Sequence, residues 1–341
     1  MKTWFPAIRA GSGADVYTIR LAEALGKRDV RAEIRWYWRW LELAPFLLRP
    51  ARVPPDVDVV VANSWNGHAF KRRGIPLVIV EHHCVLDPLY RPYVSLPQYL
   101  YHRALIKPYE RASLARADAV VAVSEFTANG LRAFLGFERV RVIHNWIDVG
   151  KFKPRPPSEA EGRRRPFRLL YVGNLSRRKG ADLLAPIMQA LGRDFELFYT
   201  TGLRSGIRAN SPSNMTFLGR LEEERLIEIY QDCDALLFPS RFEGFGYAAL
   251  EAMACGKPVI ASNSSSLPEV VEDGACGILC EPDNVNAFAQ ACRRLAEDPA
   301  LRRRMGEAAR ERAVRLFSEE AIMPKYIQLF EELSGKGPVR H

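Results

Sequence analysis

Two carboxylates, Glu243 and Glu251, stand on either side of a glycine turn in the run Arg241-Phe242-Glu243-Gly244-Phe245-Gly246-Tyr247-Ala248-Ala249-Leu250-Glu251. The apolar run 235–238 ahead of them has the length of a buried strand. Gly244 and Gly246 permit a tight turn, and 248–255 favours helix until Gly256-Lys257-Pro258 stops it. A strand therefore hands the chain to a helix N-terminus, where free N–H groups and the helix dipole favour an anion such as a diphosphate. Carboxylates accept hydrogen bonds from hydroxyls, so one acid suits a sugar and the other a ribose. The competing reading is a plain strand-to-helix corner with solvated acids, because glycines in a loop carry little weight alone.

A second strand-loop-helix pattern supplies cations. Leu169-Leu170-Tyr171-Val172-Gly173-Asn174 leads into Arg177-Arg178-Lys179-Gly180 and a helix start. Fixed positive groups there would face a diphosphate held at the helix N-terminus and counter its charge. Lys179 is the first candidate, with Arg177 or Arg178 as a further cation; a solvated basic turn is the alternative. Near the N-terminus, Gly11-Ser12-Gly13 precedes a run of helical periodicity, 16–25, and would let backbone approach donor phosphates. His82 and His83 follow the apolar run 76–81, past a strand end, where a ligand-facing residue belongs and a buried, satisfied histidine is equally at home. Glu81, Asp87, Tyr90 and Arg91 lie near enough in sequence to meet an acceptor.

The complete run around Glu243 and Glu251, with Ala254-Cys255-Gly256-Lys257-Pro258-Val259 after it, resembles the family 4 retaining glycosyltransferases of the GT-B fold. The resemblance implies that Glu243 contacts the donor sugar and Glu251 the nucleotide ribose, and it favours His82 as a residue near the donor sugar. Gly11 and Gly13 fit the family's N-terminal glycine loop. The chain departs from the family at several points. Tyr247-Ala248 replaces a frequent Leu-Pro, and Asn174 stands where an arginine is usual, leaving Arg177 or Arg178 to supply that charge. Trp146 replaces a glycine in the Asn145-Trp146-Ile147-Asp148 turn, and Ser264-Ser265-Ser266 stands where glycines precede Leu-Pro-Glu. The likeness covers nearly the whole chain and is far more specific in its second half.

The elements around these residues read as an α/β protein. With 341 residues and 48% hydrophobic content, the chain is long enough for two domains. Apolar runs at 57–62, 77–80, 119–123 and 140–143, then at 169–172, 195–199, 215–218, 235–238, 259–261 and 277–279, alternate with helical patterns. Such alternation predicts parallel sheets with right-handed crossovers, hence two doubly wound Rossmann-like domains, which the resemblance sets facing across a cleft as in GT-B. The first strand has only 2–5 to work with, so it is either short or the true start lies upstream. The proline- and charge-rich stretch 153–166 reads as a linker. The expected division is 1–154 for an acceptor-side domain, 155–317 for a nucleotide-sugar domain, and 318–341 for a C-terminal helix packing back on the first.

The net charge of +9 is carried entirely by residues 1–154, which hold 23 Lys and Arg against 14 Asp and Glu. That excess suits an anionic membrane surface or acceptor; nucleic acid is disfavoured because no recognition motif accompanies the charge. The stretch 34–49 interleaves tryptophans with arginines, as either core packing or a membrane-interface segment would. No apolar run is long enough to span a bilayer and no signal peptide opens the chain, so a cytoplasmic protein is expected, peripheral on the inner face of the cytoplasmic membrane. Six scattered cysteines read as reduced core thiols. Two Asp-x-Asp pairs, at 56–58 and 232–234, precede apolar strands at the end remote from the ligand-binding edge, so no metal is expected. The reaction expected is metal-independent transfer of a sugar, without a cofactor, from a nucleoside diphosphate sugar to a saccharide or lipid-linked saccharide, in cell-surface polysaccharide or glycolipid synthesis. A same-fold phosphorylase or epimerase and a non-catalytic scaffold are the alternatives.

Overall fold

The computed structural model describes residues 1–9, 11, 13–155, 165–201 and 212–335; most of the expected linker, 156–164, lies outside the described residues. The chain divides into two compact units. One comprises Met1–Asn145 with the segment from Glu320 onward, the other Trp146–Glu319. The division thus falls ahead of 154. Trp146, Ile147 and Phe152 are buried, the Ile147 N–H donates to the Phe317 carbonyl at 2.8 Å, and Arg310 donates to the carbonyls of Val149 and Phe152. These contacts fasten 146–152 to the second unit.

The first unit holds a six-stranded sheet of β1 (Lys2–Ile8), β2 (Arg31–Tyr37), β3 (Val59–Asn63), β4 (Leu77–Glu81), β5 (Ala119–Ala122) and β6 (Val140–Val142), ordered β2-β1-β3-β4-β5-β6. Every pairing is parallel. The central strand β4 is buried along its whole length, as a sheet covered on both faces requires. β1 runs through Pro6 and is longer than 2–5. The helix Gly13–Gly26 follows it. The C-terminal helix Glu319–Ser334 contributes Tyr326, whose hydroxyl lies 2.5 Å from that of Tyr17, and Glu332, which pairs with Arg141 at 2.7 Å.

The second unit is built on β7 (Phe167–Tyr171), β8 (Phe195–Thr200), β9 (Met215–Gly219), β10 (Ala235–Phe238), β11 (Val259–Ser262) and β12 (Gly277–Cys280), all parallel and ordered β12-β11-β10-β7-β8-β9. Its strand order reverses between β7 and β10. In an open parallel sheet the loops leaving the carboxyl ends of such a pair splay to opposite faces and leave a crevice for ligand. Here those loops are the two motifs carrying Lys179 and Glu243. All six cysteines are buried and none is joined in a disulfide. Among the described residues no helix is long and apolar enough to cross a membrane.

Candidate active site

At the β7/β10 crevice the two loops are tied together by charge. Lys179 Nζ lies 2.5 and 2.7 Å from the two carboxylate oxygens of Glu243, and Ser240 Oγ donates to Oε1 at 2.7 Å. The Glu243 backbone is also held: its N–H donates to Ser265 Oγ at 2.9 Å and its carbonyl accepts from Ser266 Oγ at 3.1 Å. Burial pushes the Glu243 carboxyl up, but the Lys179 and Arg178 charges, with hydrogen bonds from Lys179 and Ser240, outweigh it and hold the group below the usual range. Lys179 is drawn down chiefly by its own burial and further by Arg178, against the pull of Glu243.

Close packing brings the loops to this distance. Gly180 has φ +70°, and a Cβ there would sit 2.0 Å from the Pro239 carbonyl oxygen; only glycine lets the Lys179 loop touch the Glu243 loop. Tyr171, at the end of β7, donates through its hydroxyl to the carbonyl of Asn174 at 2.9 Å and lies 3.3 Å from that of Lys179. Gly246, at φ +104°, turns the chain into the helix Tyr247–Ala254. Phe245 is buried edge-on against Phe317.

The arginines separate. Arg178 Nη1 donates to the Phe242 carbonyl at 2.8 Å, next to Glu243, whereas the Arg177 side chain is exposed. Asn174 is half-buried in the same loop. Glu251 is buried in its helix and accepts from the Tyr230 hydroxyl at 3.0 Å. Sequence reasoning missed Arg241, which spans the loops: it reaches both oxygens of Asp182 at 2.7 and 2.9 Å and Asp283 at 2.5 Å, and donates to the Arg177 carbonyl. Its partners lie far away in sequence, so only its place two residues before Glu243 could have drawn notice. Ser265 and Tyr230 were missed for the same reason, whereas Ser240 and Tyr171 have partners nearby in sequence but no residue-type signal to mark them.

In the first unit, Gly11 has φ +64° and its N–H donates to Asp15 Oδ2 at 2.8 Å. Gly13 starts the helix, and a Cβ at either glycine would meet nothing within 4 Å. His82 follows β4 and lies edge-on to Tyr17 of that helix, ring centroids 4.7 Å apart. Burial lowers its pKa to about 4, which leaves the ring neutral. Glu81 accepts from the His83 N–H at 3.3 Å, and burial raises its carboxyl to about 7.

The Asp-x-Asp pairs are fastenings at strand starts. Asp58 accepts from the Lys2 N–H at 2.8 Å; Asp234 accepts from the Arg168 N–H at 2.8 Å and from Arg165 at 2.6 Å. Among the described residues no group of three His, Cys, Asp or Glu side chains is placed to hold a metal ion.

Known proteins resemble this chain in sequence and in fold. Residues 208–312 match the family described as Glycosyl transferases group 1, and residues 29–151 match Glycosyltransferase Family 4. The chain is 31% identical to the D-inositol 3-phosphate glycosyltransferase 1 of Catenulispora acidiphila, over 82% of this chain and 73% of that one; it spans about half the length of several other relatives it matches. Among solved structures it superposes on a sucrose-phosphate synthase from Thermosynechococcus elongatus with a TM-score of 0.84 at 23% identity, covering 98% and 99% of the two chains. It superposes on Anabaena HepE in complex with UDP-glucose at 0.77 and 20% identity, covering 97% and 100%.

Proposed function

The chain belongs to the family 4, group 1 glycosyltransferases, and from that membership we propose that it moves a sugar from a nucleoside diphosphate sugar to a hydroxyl of a saccharide or lipid-linked saccharide. The observation that carries this reading is the Lys179–Glu243 contact at the strand-order reversal of the second unit. It sets one cation and one hydroxyl-accepting carboxylate beside the start of the helix Tyr247–Ala254, where an anion is favoured. The UDP-glucose bound by the Anabaena relative makes a UDP-sugar the first donor to try.

In this mechanism Glu243, kept ionised by its neighbours, accepts from donor-sugar hydroxyls, and Glu251, oriented by Tyr230, accepts from the ribose. Lys179 and Arg178 face the diphosphate, so Arg178 supplies the charge that Asn174 lacks. The amides of Gly244, Phe245 and Gly246 line the phosphates. The C1–O bond to the diphosphate breaks while the acceptor oxygen bonds to C1 on the same face. The acceptor proton passes to the departing phosphate oxygen, and the cations stabilise the charge left there. Both Glu243 oxygens are engaged by Lys179, which favours an orienting role over a covalent one. Neither a metal nor a cofactor takes part. The acceptor is met at the cytoplasmic face of an anionic membrane, a reading supported by the basic excess of residues 1–154.

Nucleotide release from UDP-, GDP- and ADP-sugars, with and without saccharide acceptors, tests the proposal. One donor is expected to be turned over, and Glu251→Ala to weaken its binding by about tenfold or more, as loss of a buried charged hydrogen-bonding partner does. No turnover of any donor, or an unchanged Glu251→Ala enzyme, would refute it.

A further inference from the structure

The first unit presents an apolar surface built from two neighbouring segments. After β2 come two short 3-10 turns, Arg39–Glu42 and Pro45–Leu48. They bury Leu41 and Leu48 but leave Trp38, Trp40, Leu43, Phe46 and Leu47 exposed, Trp38 by 77% and Trp40 by 59%. A second segment consists of the helix Leu96–Tyr101 and the π-helical turn His102–Ile106. Leu96 and Leu100 are one α-helical turn apart, and Leu105 follows at the wider spacing of the π turn, so all three point outward while His102 and Ile106 are buried. The Tyr109 hydroxyl donates to the Leu43 carbonyl at 2.9 Å, and Tyr101 feels the charges of Glu42 and Arg39. The two segments therefore form one face.

Scattered exposed leucines need no explanation, but eight large apolar side chains on two adjoining segments do. Their charged surroundings narrow the choice of partner. Residues 35–52 and 91–116 contain nine Lys and Arg against Glu42 and Glu110, and Glu110 is buried. The Arg91 and Arg103 guanidiniums lie 4.5 and 5.8 Å from the centroid of the Tyr99 ring, which holds them beside the leucine stripe. A second copy of this chain docked symmetrically would set arginine against arginine. An anionic bilayer would meet the arginines with phosphates and the tryptophans with its interface.

We propose that this face docks on an anionic membrane, with Trp38, Trp40 and the Leu96, Leu100 and Leu105 stripe inserted shallowly into the interface and Arg39, Arg91 and Arg103 at lipid phosphates. The proposal deepens the reading of a membrane-presented acceptor, on which its purpose rests, and assigns the contact to named residues. Docking here would hold the enzyme at the surface where a lipid-linked acceptor is found.

Flotation of the full-length protein with vesicles of phosphatidylcholine, alone or mixed with phosphatidylglycerol, tests it. Binding is expected to the mixed vesicles and to weaken with added salt. Trp38→Ser with Trp40→Ser, and separately Leu96→Ser with Leu100→Ser, should each lower the partition constant by at least about tenfold, the scale of losing two interfacial apolar side chains. Arg91→Glu with Arg103→Glu should abolish the preference for phosphatidylglycerol. Binding of UDP, GDP and ADP by thermal shift is followed in every variant, so a protein that binds one of these nucleotides but not vesicles sinks this proposal and leaves the donor reading standing, whereas one that binds vesicles but none of the three sinks the donor reading alone. Undiminished flotation of both apolar variants would overturn the assignment. So would concentration-dependent dimerisation of the wild type that the tryptophan variant loses, since that gives the face to a second copy.

Discussion

Removal of the Lys179 ammonium should separate the stabilising role of the Lys179–Glu243 contact from its catalytic one. In Lys179→Met the side-chain volume is nearly kept, but Glu243, which is 5% exposed, loses the group that touches both its oxygens. An uncompensated buried charge costs about 3–5 kcal/mol, and its carboxyl would move up because burial would be opposed only by Arg178 and Ser240. In a domain of this size that is a fall in Tm of roughly 10 °C. Glu243→Gln alone leaves the partly buried Lys179 without its counter-charge and should cost somewhat less. The double variant, with neither charge, should recover most of the loss, because the desolvation of two ions disappears together with their attraction.

Turnover should behave differently. If Lys179 stabilises charge on the departing diphosphate, Lys179→Met loses about 10²–10³-fold in kcat, and adding Glu243→Gln restores stability without restoring rate. The assay is nucleotide release under saturating donor, beside thermal melts of the two single variants and the double. Two results would refute the reasoning. If the double variant is destabilised by the sum of the singles, the side chains are not coupled. If Lys179→Met melts early yet turns over normally, the lysine belongs to the scaffold alone.

Two further outcomes follow from the geometry. The folded pKa of Glu81, about 7, lies above its usual 4.5, so ionising it in place is unfavourable: its protonated form is fully favoured below about 4.5, and that advantage is lost as pH rises to 7. Relative to wild type, Glu81→Gln should therefore gain about 3 kcal/mol between pH 4.5 and 8, read by urea denaturation at each pH; a difference constant across that range would contradict it. Gly180→Ala should lower stability by more than about 2 kcal/mol, since its Cβ would lie 2.0 Å from the Pro239 carbonyl oxygen at φ +70°. A melt within experimental error of wild type would show that the loops can part freely.

What could be read from sequence follows the physics of burial. Strands such as β4 and β10, covered on both faces, are short continuous apolar runs and announce themselves. β2 does not. As an edge strand it alternates exposed Arg31, Glu33 and Arg35 with half-buried Ala32 and Ile34, and its charges keep that edge from pairing with other chains. For that reason 34–49 reads equally well as core packing or as a membrane-interface segment; the structure has strand to Tyr37 and exposed aromatic and aliphatic side chains after it. β1 extends past the 2–5 expected, with Pro6 at a register position opposite Arg35.

The site shows the same limit at closer range. Residue types in the Lys179 and Glu243 loops announced a cation and a carboxylate near one anion, since each loop has its own local grammar of strand, glycine and helix. The contact between them depends on which strands are neighbours. Only the order that sets β7 beside β10 brings residues 64 apart in sequence within 2.5 Å. That same adjacency sets Arg178 apart from Arg177, because Arg178 reaches the Phe242 carbonyl of the partner loop while Arg177 faces out. It also explains Arg241, whose bonds to Asp182 and Asp283 hold the Glu243 loop against its neighbours. The missing arginine at Asn174 is therefore a question about how the two loops share charge. The loops are already linked through Arg178 and Arg241, so the compensation has a physical route even though no single position in either motif carries it.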